Sequence, residues 1–135
     1  MSEPVAARLF RVIVPVPEIE AGVAFYTRLF EQPGERVAQT RHYFDCGGVI
    51  LALVQPIEGH SASPEFRPLP DYAYLAVADL ELWRDRVRDI DSGLITSDIA
   101  SYPWGERSFY LRDPFGNPLC LVEDATQFRG GAFVR

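Results

Sequence analysis

The sequence predicts an α+β fold built from two βαβββ modules, and three observations lead to this prediction. A β-rich run followed by an amphipathic helical stretch occurs twice along the 135 residues. Three shorter β-leaning runs follow each helical stretch. The two halves also align, because residues 16–19 (VPEI) match residues 77–80 (VADL) and residues 48–53 (GVILAL) match residues 116–121 (GNPLCL). We expect the modules to form one curved mixed sheet, with a concave cleft and with the helices on its convex face.

The first module is predicted over residues 8–55. Residues 10–16 are rich in valine and isoleucine, which favours a strand. Pro17 suits the first turn of a helix, and Gln32-Pro33-Gly34 stops it. The apolar stripe of this helix consists of Ile19, Val23, Tyr26 and Phe30. The β-leaning runs that complete the module are residues 36–40, 41–46 and 49–54, and the boundary between the first two stays open.

A crossing loop over residues 55–70 separates the modules, because this segment carries four prolines and little periodicity. The loop is a candidate cover for the cavity. The second module follows over residues 71–124, with a tail at 125–135 that is a candidate to cross to a neighbouring copy or to fold over the cleft. Its predicted strands are residues 72–77 and the runs around 94–99, 108–112 and 119–122. Its predicted helix is capped by Asp79 and ends at Asp91-Ser92-Gly93. The apolar stripe of this helix consists of Leu80, Trp83, Val87 and Ile90.

Composition and charge favour one cytoplasmic domain that binds neither nucleic acid nor a membrane. Hydrophobic residues make up 47% of the chain and charged residues 24%, as in ordinary globular proteins. The net charge of −6 argues against a surface for nucleic-acid phosphates. The longest apolar stretch, residues 49–54, is too short to span a bilayer, and the first residues lack the apolar run of a signal peptide. We therefore expect Cys46 and Cys120 to be free thiols in a reducing compartment.

One stretch of the second module combines a turn with an unexpected thiol. Asp113-Pro114-Phe115-Gly116-Asn117 has the residues of a tight turn between two β-leaning runs. In the strand that follows, Cys120 shares a face with Pro118 and Val122, because side chains alternate along a strand. The role of Cys120 therefore depends on whether this face of the strand lines the cleft or packs in the core.

The repeat and two motifs resemble the vicinal oxygen chelate superfamily, which has the glyoxalase, bleomycin-resistance and extradiol-dioxygenase fold. The motifs are "VPVPEIEAGVAFYTRLF" and "PWGERSFYLRDPFGN", and the resemblance covers residues 9–123. It implies two βαβββ modules around a U-shaped cleft and commonly a dimer, so we expect a homodimer. In the enzymes of this superfamily, the first and last strands of each module supply the ligands of a divalent metal.

The four metal positions implied by the resemblance fall on Arg11, Ala52, Tyr72 and Cys120. A guanidinium and a methyl group offer no lone pair to a metal, a phenol binds only after an unfavourable deprotonation, and one thiol is not enough. We therefore expect neither a metal nor another cofactor at these positions. A metal site elsewhere stays open, with His42, His60, Asp45 and Glu123 as candidates, although no pair of them has a typical ligand spacing.

What remains is a pocket suited to a small aromatic or anionic ligand. Its predicted lining is Arg11, Ile13, Ala52, Tyr72, Tyr74 and Cys120, with Trp104 and Phe109 near the rim. Each of these residues also has a structural interpretation. In that interpretation, Arg11 forms an ion pair with a carboxylate and the two tyrosines only pack within their strand. Cys120 is then a small hydrophobic residue and not a reactive thiol.

Three functional hypotheses follow. The leading one is a metal-free small-molecule binding protein without catalytic residues. The alternative is a lyase, isomerase or dioxygenase of the same superfamily. That enzyme has either a displaced metal site or metal-free chemistry, in which Tyr72 is a general acid, Arg11 holds an anion and Cys120 takes part. The third is an interaction module without a ligand.

Overall fold

Two four-stranded mixed sheets, each accompanied by one α-helix, make up the structure, a computed structural model that describes residues 6–128. The element order is βαβββ twice, which confirms the predicted modules. The chain divides into two units between Arg67 and Pro68, inside the predicted crossing loop. The expected concave cleft stays a prediction. No helix in residues 6–128 has both the length and the apolar character that crossing a lipid bilayer requires.

The first unit has its four strands in the order β1-β4-β3-β2, with β1 parallel to β4 and the other pairs antiparallel. Its elements are β1 (Arg11–Pro15), α1 (Ile19–Phe30), β2 (Glu35–Ala38), β3 (Arg41–Cys46) and β4 (Val49–Val54). The side chains of β1, β3 and β4 alternate between a face that contacts α1 and a face opposite α1. Phe44 identifies the first of these faces, because its ring lies 5.4 Å from the ring of Phe30 on α1.

Helix α1 begins two residues later than the position of Pro17 suggests. Glu18 is the N-cap, and its carboxylate accepts hydrogen bonds from the backbone N–H groups of Glu20 (2.9 Å) and Ala21 (3.2 Å). Gln55 accepts a third from the N–H of Ile19 at 3.0 Å. The placement of Pro17 in the first turn was therefore wrong, because the carboxylate and amide of other residues satisfy the first N–H groups.

The buried stripe of α1 is also rotated relative to the predicted one. Ile19 and Tyr26 are buried as expected, whereas Val23 and Phe30 are only half-buried. The other buried members are Gly22, Phe25 and Leu29. Gly22 allows this rotation, because a Cβ atom at that position would lie 2.9 Å from a methyl group of Val16.

The second unit repeats the arrangement, with the strand order β5-β8-β7-β6 and with β5 parallel to β8. Its elements are β5 (Ala73–Val77), α2 (Leu80–Asp91), β6 (Ala100–Ser101), β7 (Arg107–Arg112) and β8 (Pro118–Glu123), with short 3-10 turns at Ser92–Leu94 and Asp124–Thr126. Asp79 caps α2 as predicted, by accepting the N–H of Leu82 at 3.1 Å. Leu80 and Val87 of the predicted stripe are fully buried. The predicted tail is described only as far as Phe128, so Gly130-Gly131 and Phe133 lie outside the described residues.

The strand predicted around residues 94–99 was largely wrong. Leu94 belongs to a 3-10 turn, and only Ile95 forms an isolated bridge, with Leu111. The backbone N–H of Tyr110 donates to the side-chain hydroxyl of Ser97, at 2.9 Å, and not to a backbone carbonyl of this segment. Because a side-chain oxygen takes the place of a backbone carbonyl, the regular ladder is interrupted and β6 has only two residues.

Arg107 joins β7 to α2 and to the end of β8. Its guanidinium donates to the carboxylates of Glu81 on α2 and of Glu123, the latter at 2.9 Å. The hydrogen bond from Arg107 is the main reason that the pKa of Glu81 lies below its ordinary value. A carboxylate with a lowered pKa stabilises the fold above its unfolded-state pKa, and this contribution is lost as the pH falls through the folded-state pKa.

We therefore expect Arg107→Gln to flatten the acid side of the stability profile. The wild type should lose more thermal stability than the variant between pH 7 and about pH 3, by the modest amount typical of exposed ion pairs. Thermal unfolding followed by circular dichroism across this pH range measures the difference. Arg28→Gln, at an exposed site on α1, is the control for the change in net charge. Parallel profiles for Arg107→Gln and the wild type would contradict the expectation.

Candidate functional site

The strand register places most of the predicted site residues on the sheet faces opposite the helices. In the first unit, Ile13 pairs with Ala52, and Arg11 lies two residues earlier on the same face of β1. In the second unit, Tyr74 pairs with Cys120. The two pairs occupy equivalent positions of the repeat, which supports the alignment of the halves. Whether these side chains contact a ligand stays a prediction.

Arg11 interacts with aromatic rings and not with a carboxylate. Its guanidinium carbon lies 4.8 Å from the ring centre of Phe10 and 4.9 Å from that of Tyr43 on β3. Within residues 6–128 it forms no ion pair. The cation–π contacts hold an exposed positive charge in place and leave its N–H groups available to an anion.

Five aromatic side chains form a continuous layer in the second unit, on and beside the face opposite α2. The ring of Tyr110 lies 4.7 Å from that of Tyr72 and 5.8 Å from that of Tyr102. Tyr72 also contacts Tyr74 at 6.5 Å, and Trp104 stacks on Tyr102 at 5.2 Å with an interplanar angle of 15°. We call these five residues the aromatic layer. Its two ends are open to solvent, because Tyr74 is 60% exposed and Trp104 is 58% exposed.

Cys120 lies beneath this layer. It pairs with Tyr74 of β5 on one side and Tyr110 of β7 on the other, and its side chain is fully buried. Burial raises the pKa of the Cys120 thiol, although hydrogen bonds from Ser108 and Tyr110 partly oppose the shift. A buried, protonated thiol is a poor nucleophile, so the geometry favours the interpretation of Cys120 as a small hydrophobic residue.

Two phenols of the layer, those of Tyr74 and Tyr110, are hydrogen-bond donors and not bases. Burial raises the pKa of Tyr110 to about 12, and repulsion from the Cys120 thiolate, which forms only at high pH, is the second cause. The same two causes raise the pKa of Tyr74. Both hydroxyl groups therefore stay protonated at neutral pH, where they are able to donate a hydrogen bond to a ligand oxygen.

Beside the aromatic layer, the second unit has a cavity of about 340 Å³. Tyr74, Ala76 and Val122 contribute the sheet face, and Glu106 and Phe128 lie across from them. The Phe128 N–H donates to the Glu106 carboxylate at 2.8 Å, which fixes this side of the cavity. The volume is at the lower end of the range for small-molecule pockets.

Phe109 does not have the position that the sequence suggested. It pairs with Leu121 of β8, on the face that contacts α2, and it is completely buried. The expectation that Phe109 lies near the rim is therefore corrected, because alternation along β7 directs its neighbour Tyr110 to the Cys120 face instead. Sequence reasoning missed Tyr110 and Tyr102. The signal available for Tyr110 is its alternation with the apolar residues Phe109 and Leu111, which places it on the opposite face of the predicted strand.

The residues at the four metal positions do not fit a divalent cation. Arg11 and Ala52 in the first unit have no lone pair to offer, and in the second unit the only thiol, Cys120, has a raised pKa. Among residues 6–128 there is also no group of three or more His, Cys, Asp or Glu side chains that is arranged to hold a metal ion.

The two strongest alternative ligands have structural roles. One ring nitrogen of His42 lies 2.8 Å from the Pro33 carbonyl oxygen, and the other accepts from the Arg36 guanidinium at 3.3 Å. In this arrangement Nδ1 of His42 is the acceptor and Nε2 is the donor to the Pro33 carbonyl, and the side chain is buried. Glu123 forms the ion pair with Arg107. Both side chains are thus already engaged in contacts within their own units.

The family sequence model described as Glyoxalase/Bleomycin resistance protein/Dioxygenase superfamily matches residues 8–121. The chain belongs to this superfamily. Membership supports a small-molecule-binding or enzymatic function and confirms the resemblance seen in the two motifs. The comparison with curated protein sequences gives no match.

Solved structures of other proteins share the fold at low sequence identity. The lactoylglutathione lyase from Agrobacterium tumefaciens has 21% identity and a TM-score of 0.67, and the alignment covers 93% of this chain and 100% of that one. A glyoxalase-related enzyme from Fulvimarina pelagi has 16% identity and a TM-score of 0.74, with 93% and 94% covered. TioX from Micromonospora sp. ML1 has 18% identity and a TM-score of 0.69, with 87% and 99% covered. At these identities the likeness establishes the fold alone.

Proposed function

We propose that the protein binds a small, planar aromatic molecule and that this binding requires no metal. The aromatic layer of the second unit is the observation that carries the proposal. Five rings form a chain of contacts whose two ends, Tyr74 and Trp104, are exposed, and Tyr74 also lines a cavity of about 340 Å³. Exposed aromatic rings of this kind offer a surface on which a planar ligand is able to stack. Membership of the superfamily supports a small-molecule-binding or enzymatic function.

The energetics of the layer favour a rigid aromatic ligand. An aromatic pair contributes about 0.5–1.5 kcal/mol beyond the burial of its apolar area. The stacking of Trp104 on Tyr102 and the contacts of Tyr72 with its neighbours hold the rings in place before a ligand arrives. Binding therefore costs little side-chain entropy. The protonated phenols of Tyr74 and Tyr110 add hydrogen-bond donors for a hydroxyl or carbonyl oxygen on the ligand.

In the first unit, taken by itself, Arg11 is proposed to bind a ligand that carries a negative charge. Its guanidinium has cation–π contacts but no carboxylate partner in residues 6–128. A ligand carboxylate or phosphate would supply the bidentate partner that this side chain lacks. The proposal that binding requires no metal rests on the chemistry of the side chains at the four metal positions. Two of these positions carry a guanidinium and a methyl group, neither of which is able to coordinate a metal ion.

We expect Trp104→Ala to weaken the binding of 2-naphthol about tenfold, because the substitution removes the exposed end of the aromatic layer. Titration followed by protein NMR chemical shifts measures the affinity and identifies the residues affected. Trp83→Phe on α2 is the matched control, since it alters the other tryptophan without touching the layer. Chelator should leave the affinity unchanged.

Two results would contradict the proposed function. The first is the absence of saturable binding by planar aromatic compounds, or equal affinities in Trp104→Ala and the wild type. The second is stoichiometric Zn, Mn, Ni or Fe in protein purified without chelator, which would overturn the metal-free part. The role of Arg11 is tested separately within the first unit. Arg11→Gln should weaken any 2-naphthoate binding that shifts the NMR signals of Ile13 and Tyr43, and it should leave 2-naphthol binding to the second unit unchanged.

A further inference from the structure

The first unit has a second cavity, of about 280 Å³, which the aromatic layer does not line. Its apolar side is formed by Ile13 and Val54, on the face of β1 and β4 opposite α1. Its polar side is formed by the crossing loop, including His60 and Glu65. The loop thus covers one end of the sheet face in its own unit.

Two arginines line this cavity without a carboxylate partner. Arg41 on β3 donates to the hydroxyl of Tyr43 at 3.1 Å, which orients its guanidinium. Neither Arg41 nor Arg67 of the loop forms an ion pair with any residue between 6 and 128. Glu65 also lines the cavity, and it is likewise not ion-paired within that range. The cavity therefore holds two positive charges against one negative charge.

We infer that this cavity binds a small organic anion, with Arg41 and Arg67 as its charged partners. Guanidinium groups bind carboxylate and phosphate through paired hydrogen bonds, and both groups here have unused N–H donors. The apolar side contributed by Ile13 and Val54 fits a short aliphatic body and not a bare inorganic ion. The predicted ligand class is a short-chain carboxylate or phosphate monoester. This site is independent of the aromatic site proposed in the second unit.

Titration with 3-methylbutanoate and with 3-methylbutan-1-ol, followed by protein NMR, tests the inference. The acid should give saturable shifts at Ile13, Val54 and residues 60–67, and the uncharged alcohol should not. Arg67→Gln should weaken acid binding at least tenfold, whereas Glu65→Gln should strengthen it severalfold by removing a competing carboxylate. Arg28→Gln on α1, which changes the net charge equally, should have no effect. Affinity should fall with added salt.

A parallel titration with isobutyl phosphate distinguishes the two head groups. Binding of either compound at this cavity supports the inference and assigns the head group. The inference is overturned if neither compound gives saturable shifts in these residues up to about 10 mM, or if Arg28→Gln weakens binding as much as Arg67→Gln. Because the aromatic site is probed by 2-naphthol at different residues, failure of one site leaves the result for the other intact.

Discussion

Replacement of Asp113 by alanine is expected to reduce the free energy of unfolding by about 3 kcal/mol or more, because it leaves several buried donors without an acceptor. The Asp113 carboxylate accepts the N–H groups of Phe115 (2.9 Å) and Asn117 (2.8 Å) and the side-chain amide of Asn117 (2.7 Å). Asp113 is 2% exposed and Asn117 is fully buried, so water does not replace these bonds. The loss is a large fraction of the stability of an ordinary domain.

The same turn holds the start of the second unit. The side-chain oxygen of Asn117 accepts the N–H of Leu69 at 2.8 Å, so Asp113 orients a side chain that binds the end of the crossing loop. Thermal or urea unfolding measures the effect of Asp113→Ala, and the melting temperature should fall by about 10 °C. Asp98→Ala, at an exposed site, is the control. Equal stabilities of the Asp113 and Asp98 variants would show that the turn does not need the carboxylate.

Cys120 in the folded protein should react with a thiol reagent at least about a hundredfold more slowly than in the urea-unfolded chain. Its thiol is fully buried, and burial raises its pKa, so both access and thiolate fraction are low. Reaction with DTNB at pH 8 in a Cys46→Ser background isolates this thiol. Addition of urea should restore the rate.

A fast reaction in the native state would reverse the assignment of Cys120. If labelling were rapid and its pH midpoint lay well below the ordinary pKa of a thiol, Cys120 would be an activated nucleophile, and the enzyme hypothesis would gain its missing group. The matched Cys120→Ser variant in the Cys46→Ser background should show no labelling at all. That control ensures that the signal comes from position 120.

Sequence periodicity predicted the parts of this fold that depend on local rules. The two helices, the Asp79 cap and the alternation that sets Arg11 and Cys120 opposite the helices follow from spacing and from the internal repeat. The Asp113–Asn117 turn also follows from its residue types, since Asp113 accepts the N–H two residues ahead and Gly116 has a φ of 93°.

Features that depend on distant contacts were not predicted. Residues 94–99 have β-leaning composition, but the Ser97 hydroxyl binds the Tyr110 backbone and interrupts the ladder. The aromatic layer joins Tyr102, outside a regular strand, to Tyr72 through Tyr110, and no spacing rule links these positions. The approach of Arg67 to Arg41 depends on the path of the crossing loop, which is set by contacts instead of periodicity.

The equivalent pairs of the repeat, Ile13 with Ala52 and Tyr74 with Cys120, have diverged in chemistry while keeping the same register. Around one pair the neighbouring groups are guanidinium ions, and around the other they are phenols and an indole. Under the two binding proposals, selectivity for charge and selectivity for ring shape would be encoded on separate halves of the gene product. An engineer would then change one preference by substitutions in a single half and leave the other preference untouched.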